Sequence, residues 1–466
     1  MLTPDAFERR ARALIGAGLA AFLAVTAALA WWQIAATGLA HEDRNPRLLA
    51  RFYDPNRGRI LDRDGNVVVE SLADGRRYLH DASYAHIVGY LDPRYGSQGV
   101  ELAYDSVLAG QRTGGWLDAI RQELLREKPA GADLRLTIDP AAQRAAAAAL
   151  GGRRGAVVAI DPRAGDILAM VSVPTFDPGA LGSTGEALLS DPAAPLLNRA
   201  TQGLYPPGST FKTVTAAAAL EAGIVTPETI VECPGEIVID GFPISCRNTP
   251  QGVGTYPFSA AFTYSVNAVF ARLGVELGWA RLEETARAFG FEAAPPFPLE
   301  AAVSRLARPG SERSTVLLAS TAFGQGELLA TPLQMALVAA AVASGGEVPT
   351  PRIALDAWRA GQRVEVLSQP SSRRAIDPGV AVQLQAMMRS VVTAGQASGL
   401  AIPGVAVAGK TGTAEAGDGT SHAWFIGFAP LEDPQVAVAV VVEAGGQGGA
   451  VAAPIAGAVI EAVVRR

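Results

Sequence analysis

Lysine is almost missing from this chain. Of 39 lysine and arginine residues, only Lys128, Lys212 and Lys410 are lysine. Arginine stays protonated throughout the physiological range, whereas a buried lysine can shift its pKa and give up its proton. Lysines kept in an arginine-rich chain therefore mark places where a permanent charge would fail. Cysteine is scarcer still: Cys233 and Cys246 alone exclude a disulfide framework and are too few for a cysteine zinc site. Charge of one sign is not in large excess, and a net charge of −6 over 466 residues gives no reason to expect nucleic acid. No internal repeat or long low-complexity tract interrupts the chain. With 49% hydrophobic residues, the composition is neither disorder-like nor collagen-like, and the length allows one large core plus a smaller domain.

What is present begins with an apolar run. Residues 13–40, interrupted only by Gln33 and a few small polar residues, are long enough to cross a bilayer as a helix. Trp31 and Trp32 suit the interfacial belt at its outer end. A cleavable signal peptide is the competing reading, because Ala28-Leu29-Ala30 resembles a cleavage site, but the run exceeds the length of a signal-peptide core. An uncleaved anchor fits better, with residues 1–12 as a cytoplasmic tail. Arg9, Arg10 and Arg12 precede the run and Arg44, Arg47 and Arg51 follow it, so charge does not set its direction. The expectation is a short tail inside and everything else outside the cytoplasmic membrane.

Residues 41–132 read as a small domain. RGRILDRDG, Arg57 to Gly65, is a short strand ending in an Asp-Gly turn, with Val67 to Val69 returning. GVELAYDSVLAG, Gly99 to Gly110, has helical apolar spacing and a glycine stop, and the polar segment from Lys128 to Ala132 marks the boundary. Residues 133–466 form the large domain. Its opening, DLRLTIDPAAQRAAAAALGG, passes from a strand into a helix capped by Asp139, with Pro140 at the first position and Gly151 as the stop. GAVVAI and DILAMVSV flank a turn from Asp161 to Gly165 as a hairpin. Near the end, VAVAGKTGTAE, HAWFIGFAP and VAVAVVVEA are three strand-like runs, and an apolar helix pattern runs from Val451 to Val464. Two strands early and three late predict one mostly antiparallel sheet with helices packed on it, an α+β fold. Thr331-Pro332-Leu333-Gln334 reads as a capping box opening a helix. Gly324-Gln325-Gly326 before it is a loop, either plain or near a site. Cys233 and Cys246 bracket turn formers at Pro234-Gly235 and Asp240-Gly241. They could close a hairpin in an oxidising compartment or remain as buried thiols.

The stretch PPGSTFKTVTAAAALE, Pro206 to Glu221, carries the chemistry. A Pro-Pro-Gly turn leads into helix formers, so Ser209 sits at the first turn and Lys212, three residues on, projects from the same face. Unpaired N–H groups and the helix dipole there favour a serine oxygen losing its proton. Two further short motifs come after it in order, Ser265-Val-Asn267 and Lys410-Thr-Gly-Thr413. S-x-x-K, S-D-N and K-T-G in this order form the signature set of penicillin-binding proteins and class A β-lactamases, and here valine replaces the aspartate of the middle motif. Each alone is weak; together they are specific. His422, Trp424 and Phe425 read as sheet and packing residues rather than site residues.

With RGRILDRDG, GVELAYDSVLAG, DLRLTIDPAAQ, PPGSTFK, GQGELLATPLQMA and KTGTAE followed by HAWFIGFAP, the chain resembles class B penicillin-binding proteins over nearly its whole length. The resemblance implies a five-stranded, mostly antiparallel sheet flanked by helices, a small N-terminal pedestal domain and one transmembrane helix. The resemblance is to the short type, and the expectation is no glycosyltransferase domain and no appended sensor modules. It further implies a peptidoglycan D,D-transpeptidase without cofactor or metal. Ser209 would attack the bond between two D-alanines and form an acyl-enzyme, with Lys212 as base. Ser265 would relay the proton to the leaving amine and Asn267 would hold the substrate's amide. Lys410, Thr411 and Thr413 would bind the terminal carboxylate, with Gly412 letting the substrate backbone lie close, and the N–H groups of Ser209 and Thr413 would hold the oxyanion. Stem peptides, β-lactams, the bilayer and a polytopic glycosyltransferase of the shape, elongation, division and sporulation family are the implied partners. A D,D-carboxypeptidase, a serine β-lactamase, and a catalytically silent regulator of a membrane glycosyltransferase are the alternatives.

Overall fold

The computed structural model of the chain describes residues 4–31, 52–111, 130–246 and 252–466. The first element is a helix, Pro4–Ala30. Its segment Arg12–Leu29 has a mean hydropathy of 1.8 and is buried nowhere against protein, as a membrane-spanning helix requires. The apolar run expected to continue to Ala40 lies, from Trp32 onward, outside the described residues, as do Arg44, Arg47, Arg51 and Lys128.

Alternating apolar and polar residues build a six-stranded sheet from three separate parts of the chain. Its strand order is Gln362–Val366, Ala354–Arg359, Asp133–Leu136, Ile60–Leu61, Val67–Leu72 and Gly75–Tyr78. The expected hairpin around the Asp-Gly turn is present, with Ile60 opposite Val69. The strand expected to open the large domain, Asp133–Leu136, lies instead at the centre of this sheet, parallel to Ile60–Leu61 and antiparallel to Ala354–Arg359. An expected boundary between residues 132 and 133 therefore cuts through a continuous set of hydrogen bonds. The patterning explains the placement. Leu134 and Leu136 are buried while Asp133 and Arg135 keep partial access to water, and those two pair with Arg59 and Asp356. A strand with one wet face fits a half-covered sheet, not one buried on both sides.

The segment expected to be one helix from Gly99 is two short ones, Gly99–Ala103 and Asp105–Leu108, broken at Tyr104. Glu101 points into the interior and is fully buried. Its carboxylate receives Arg57 at 2.7 Å and Arg76 at 2.8 Å, while Arg57 also reaches Asp105 at 2.7 Å. This ion cluster ties the segment before Ile60–Leu61 and the strand Gly75–Tyr78 to the short helix.

The large sheet has the strand order Ala408–Glu415, Ser421–Ala429, Val436–Val442, Gly155–Ile160 and Ile167–Val173, antiparallel throughout. Both faces are covered, which explains why VAVAVVV and GAVVAI are apolar at nearly every position and buried at all of them. The helices Gly448–Val464 and Pro140–Leu150 pack together on one face, and Pro332–Ala343 lies on the other. Asp139 caps its helix as expected, accepting from the N–H of Ala141 and Ala142. At Pro332–Ala343 only half of the capping box forms. Thr331 accepts from Gln334 N, but the Gln334 amide donates to the Phe289 carbonyl at 2.8 Å, and Thr331 N donates to Ser304 Oγ. A fully buried helix end finds partners in neighbouring elements as readily as in its own cap.

Candidate active site

The Pro-Pro-Gly turn sets the nucleophile segment. Gly208 has φ +54, a left-handed conformation that glycine adopts without penalty, and it opens a 3₁₀ turn, Gly208–Phe211, which runs into the helix Lys212–Glu221. The first turn is thus 3₁₀ rather than α. With three residues per turn, side chains at i and i+3 eclipse one another, so Ser209 and Lys212 stack along one face. The turn is clamped on two sides: Gly208 N donates to Gly324 O at 2.9 Å, and a Cβ on Gly208 would lie 2.9 Å from Thr413 O. Gly324-Gln325-Gly326 is therefore part of the site's frame rather than a plain loop. The principal neighbours of that helix are the helices Asn267–Phe289 and Pro378–Thr393, and its 3₁₀ turn rests on the edge strand Ala408–Glu415.

Three motifs meet behind Ser209. Lys212 is fully buried; its Nζ donates to Ser265 O at 2.7 Å and Asn267 Oδ1 at 2.6 Å and lies 3.1 Å from Ser265 Oγ. Lys410, also fully buried, approaches the same Ser265 Oγ from the other side at 3.0 Å and donates to Thr411 O at 3.3 Å. Ser265 is held at φ +63, which is uncommon for a residue with a side chain and sets its hydroxyl between the two amines. Burial, and then the Lys410 charge, push the Lys212 pKa well below the ordinary lysine value. Burial alone lowers Lys410 to about 7. Such an amine can be neutral at working pH and can accept a proton. Ser209 is half-buried and opens onto the adjoining cleft; its hydroxyl makes no hydrogen bond to the described residues, including Lys212. In unliganded sites such bonds are often long and tighten only with substrate.

The cleft has a volume of about 690 Å³ and is lined by Ser209, Ser265, Asn267 and Thr413 among others. Thr413 was expected at a carboxylate site and does line it. Lys410 does not: its side chain lies behind Ser265, on the opposite face of its strand. Thr411 is 1% exposed and its hydroxyl donates to Gln396 Oε1 at 3.1 Å instead of facing a ligand. Gly412 was expected to make room for substrate backbone, but a Cβ there would meet Pro207 O at 2.8 Å and Trp424 Cβ at 3.0 Å. Its glycine lets the nucleophile turn rest on the edge strand. Gly412→Ala is therefore expected to shift Ser209 and slow acylation by a β-lactam about 100-fold while the protein stays folded. Acylation kinetics beside a circular dichroism spectrum check this, and an unchanged rate would show the contact to be slack.

Sequence reasoning missed several lining residues. Gln396 and Glu415 reach the cleft, as do Ser320 and Phe323. So does the hairpin Glu236–Ile239/Phe242–Ser245, through Phe242, Ile244 and Ser245. Its turn, Asp240-Gly241, has φ of 48 and 83, the two positive values of a tight hairpin turn. Cys233 and Cys246, with Cα atoms 6.3 Å apart, are joined across its base. Asp240-Gly241 was legible as a turn; that the hairpin walls the cleft had no local signal. His422 accepts from Ala444 N at 3.2 Å and packs edge-on to Tyr205, away from the cleft lining. Trp424 and Phe425 are fully buried. Among the described residues no cluster of three His, Cys, Asp or Glu side chains could hold a metal ion.

Residues 155–461 match the family model of the penicillin binding protein transpeptidase domain, and residues 57–134 match that of the penicillin binding protein A dimerisation domain. The second match ends at Leu134, inside the strand Asp133–Leu136. Peptidoglycan D,D-transpeptidase PbpA of Mycolicibacterium smegmatis is 38% identical, with 92% of this chain and 94% of that protein aligned. PbpA of Mycobacterium tuberculosis is 37% identical over 92% of this chain and 93% of its own length. The solved structure of penicillin-binding protein A from M. tuberculosis as a ceftriaxone acyl-enzyme complex superposes with a TM-score of 0.81 at 35% identity. That superposition covers 90% of this chain and all of that one.

Proposed function

Because the chain belongs to the penicillin-binding protein transpeptidase family, we propose that it is a peptidoglycan D,D-transpeptidase of cell-wall synthesis, with Ser209 as its nucleophile. The observation that carries the assignment of residues is the convergence of Lys212 and Lys410 on one hydroxyl, Ser265 Oγ, in the cleft that Ser209 also lines. Ser209 Oγ attacks the carbonyl between the two D-alanines of a stem peptide, and neutral Lys212 takes its proton. The backbone N–H groups of Ser209 and Thr413, brought together where the nucleophile turn rests on the edge strand, hold the oxyanion. As the tetrahedral centre collapses, the proton passes through Ser265 to the leaving nitrogen and D-alanine departs. Asn267, whose Oδ1 is committed to Lys212, has its amide N–H left to hold the substrate peptide. An amine of a second stem peptide then attacks the acyl-enzyme, gives its proton to Lys212, and Ser209 recovers its own.

Placement rests on the same reading. The Arg12–Leu29 helix anchors the chain in the cytoplasmic membrane, with the catalytic part outside, where an oxidising environment suits the Cys233–Cys246 pair. A polytopic glycosyltransferase of the shape, elongation, division and sporulation family supplies the glycan strands to be joined.

The test is to supply a pentapeptide donor ending in D-Ala-D-Ala with an amine acceptor and to separate the products. Free D-alanine together with donor–acceptor peptide is expected. Tetrapeptide alone would instead identify a carboxypeptidase, and rapid hydrolytic turnover of penicillin a β-lactamase.

A further inference from the structure

The cleft presents a charge problem that the three motifs leave open. On the reading proposed above, on which this inference rests, the substrate ends in a carboxylate. Yet among the described residues no lysine, arginine or histidine lines the cleft, and the one charged lining residue among them is Glu415. Lys410 is spent on Ser265 Oγ and Thr411 O. The Thr411 hydroxyl is spent as well, donating to Gln396 Oε1 at 3.1 Å.

In that bond Gln396 is the acceptor, and its side chain is exposed in the cleft wall. A glutamine amide has one acceptor end and one end with two N–H donors. With Thr411 holding Oε1, the donor end of Gln396 is the one left over, and it makes no hydrogen bond to the described residues. The loop that carries it is held in place. Its carbonyl at Gln396 packs so tightly on the first turn of Gly448–Val464 that a Cβ on Gly449 would lie 2.0 Å away. From that same turn Gly448 N reaches Thr413 Oγ1 at 3.5 Å, occupying a lone pair and leaving the hydroxyl proton available.

We propose that Gln396 is a substrate-binding residue: its amide N–H donates to the terminal carboxylate of the stem peptide, beside the Thr413 hydroxyl. Thr411 is a positioning residue that acts through Gln396 by keeping its donor end toward the ligand. The same pair of neutral donors receives the carboxylate of a penicillin. A buried amine behind the strand then adds long-range attraction without giving up its place beside Ser265.

The experiment compares acylation by penicillin G with acylation by its methyl ester, which has no carboxylate. In Gln396→Ala the second-order rate with penicillin G is expected to fall roughly 10- to 100-fold, the scale of losing a hydrogen bond to a charged group. The rate with the ester is expected to change less than about two-fold on the same basis. Gln396→Glu keeps the acceptor for Thr411 but removes the donors, and it should lose at least as much with penicillin G and as little with the ester. Thr411→Val should lose part of the same discrimination, and the double variant Thr411→Val/Gln396→Ala no more than Gln396→Ala. Equal slowing with both compounds would overturn the proposal in favour of a structural role, and unchanged rates with both would show that Gln396 does not touch the ligand. Acylation by the ester reports at the same time that the variant site is folded. Failure of the unsubstituted protein to be acylated by either compound would overturn the transpeptidase reading itself, and this inference with it.

Discussion

Ser209→Ala takes up no penicillin covalently, and Lys212→Met, which keeps the nucleophile, is expected to be acylated about 100- to 10,000-fold more slowly than the unsubstituted protein, the usual contribution of a positioned base. Methionine is chosen because it fills the space of the lysine stem without a titratable nitrogen; Ser265 O and Asn267 Oδ1 lose their donor, so a circular dichroism spectrum recorded beside the rate shows that the variant is folded. Time courses with a fluorescent penicillin measure both variants. A Lys212→Met rate within a few-fold of the original would exclude Lys212 as the base. The pH dependence carries the same claim with a definite sign. Only the neutral amine can accept the Ser209 proton, so acylation falls as pH drops through the Lys212 pKa. Burial and the Lys410 charge hold that pKa well below the ordinary value of 10.5, so the acid limb lies far below pH 10. Lys410→Met removes one of the two causes, and the limb is expected to move upward. A limb that stays put would show that the two amines do not sense each other.

The second large effect concerns stability. Glu101→Ala leaves the buried guanidinium groups of Arg57 and Arg76 without their shared carboxylate. Removing one partner of a buried ion cluster typically costs about 3–5 kcal/mol, because the remaining charge is desolvated and uncompensated. Chemical denaturation should show that loss, and Gly412→Ala, at the edge strand, should not. Burial works to raise the Glu101 pKa, but Arg76 and Arg57 outweigh it and the folded-state value lies below the ordinary one. Such a group contributes stability that is fully present above the unfolded-state pKa and is lost as pH falls through the folded-state value. The difference between Glu101→Ala and the original protein should therefore shrink in acid below about pH 4. A cost under about 1 kcal/mol near neutral pH would mean that water reaches the cluster.

Where residues carry their own local signal, the chain could be read directly. Asp139 and Pro140 announced a helix start, Asp240-Gly241 a hairpin turn, and the rarity of lysine singled out Lys212 and Lys410 before any fold was known. Legibility stopped where position depends on distant contacts. Asp133–Leu136 looked like the opening strand of the large domain because a strand's sequence does not say which sheet it joins. Gln396 and Phe242 lie in a loop and a two-stranded ribbon, and they reach the cleft only through the Gly449 contact and the Cys233–Cys246 pair. Lys410 is a different case, since the signal was there. Side chains alternate along a strand, so Lys410 cannot share a face with Thr411 and Thr413, and a common carboxylate site for all three was already at odds with the pattern. Gly412 belongs to the same lesson: the glycine serves the turn that carries Ser209, not the ligand.

Whether Ser209 carries the acyl group is read by intact-mass measurement after exposure to penicillin G, together with proteolysis and sequencing of the modified peptide. One adduct with the mass of the whole antibiotic is expected, long-lived and located on Ser209 within Pro206 to Glu221. An adduct on another residue, or none at all, would contradict the account.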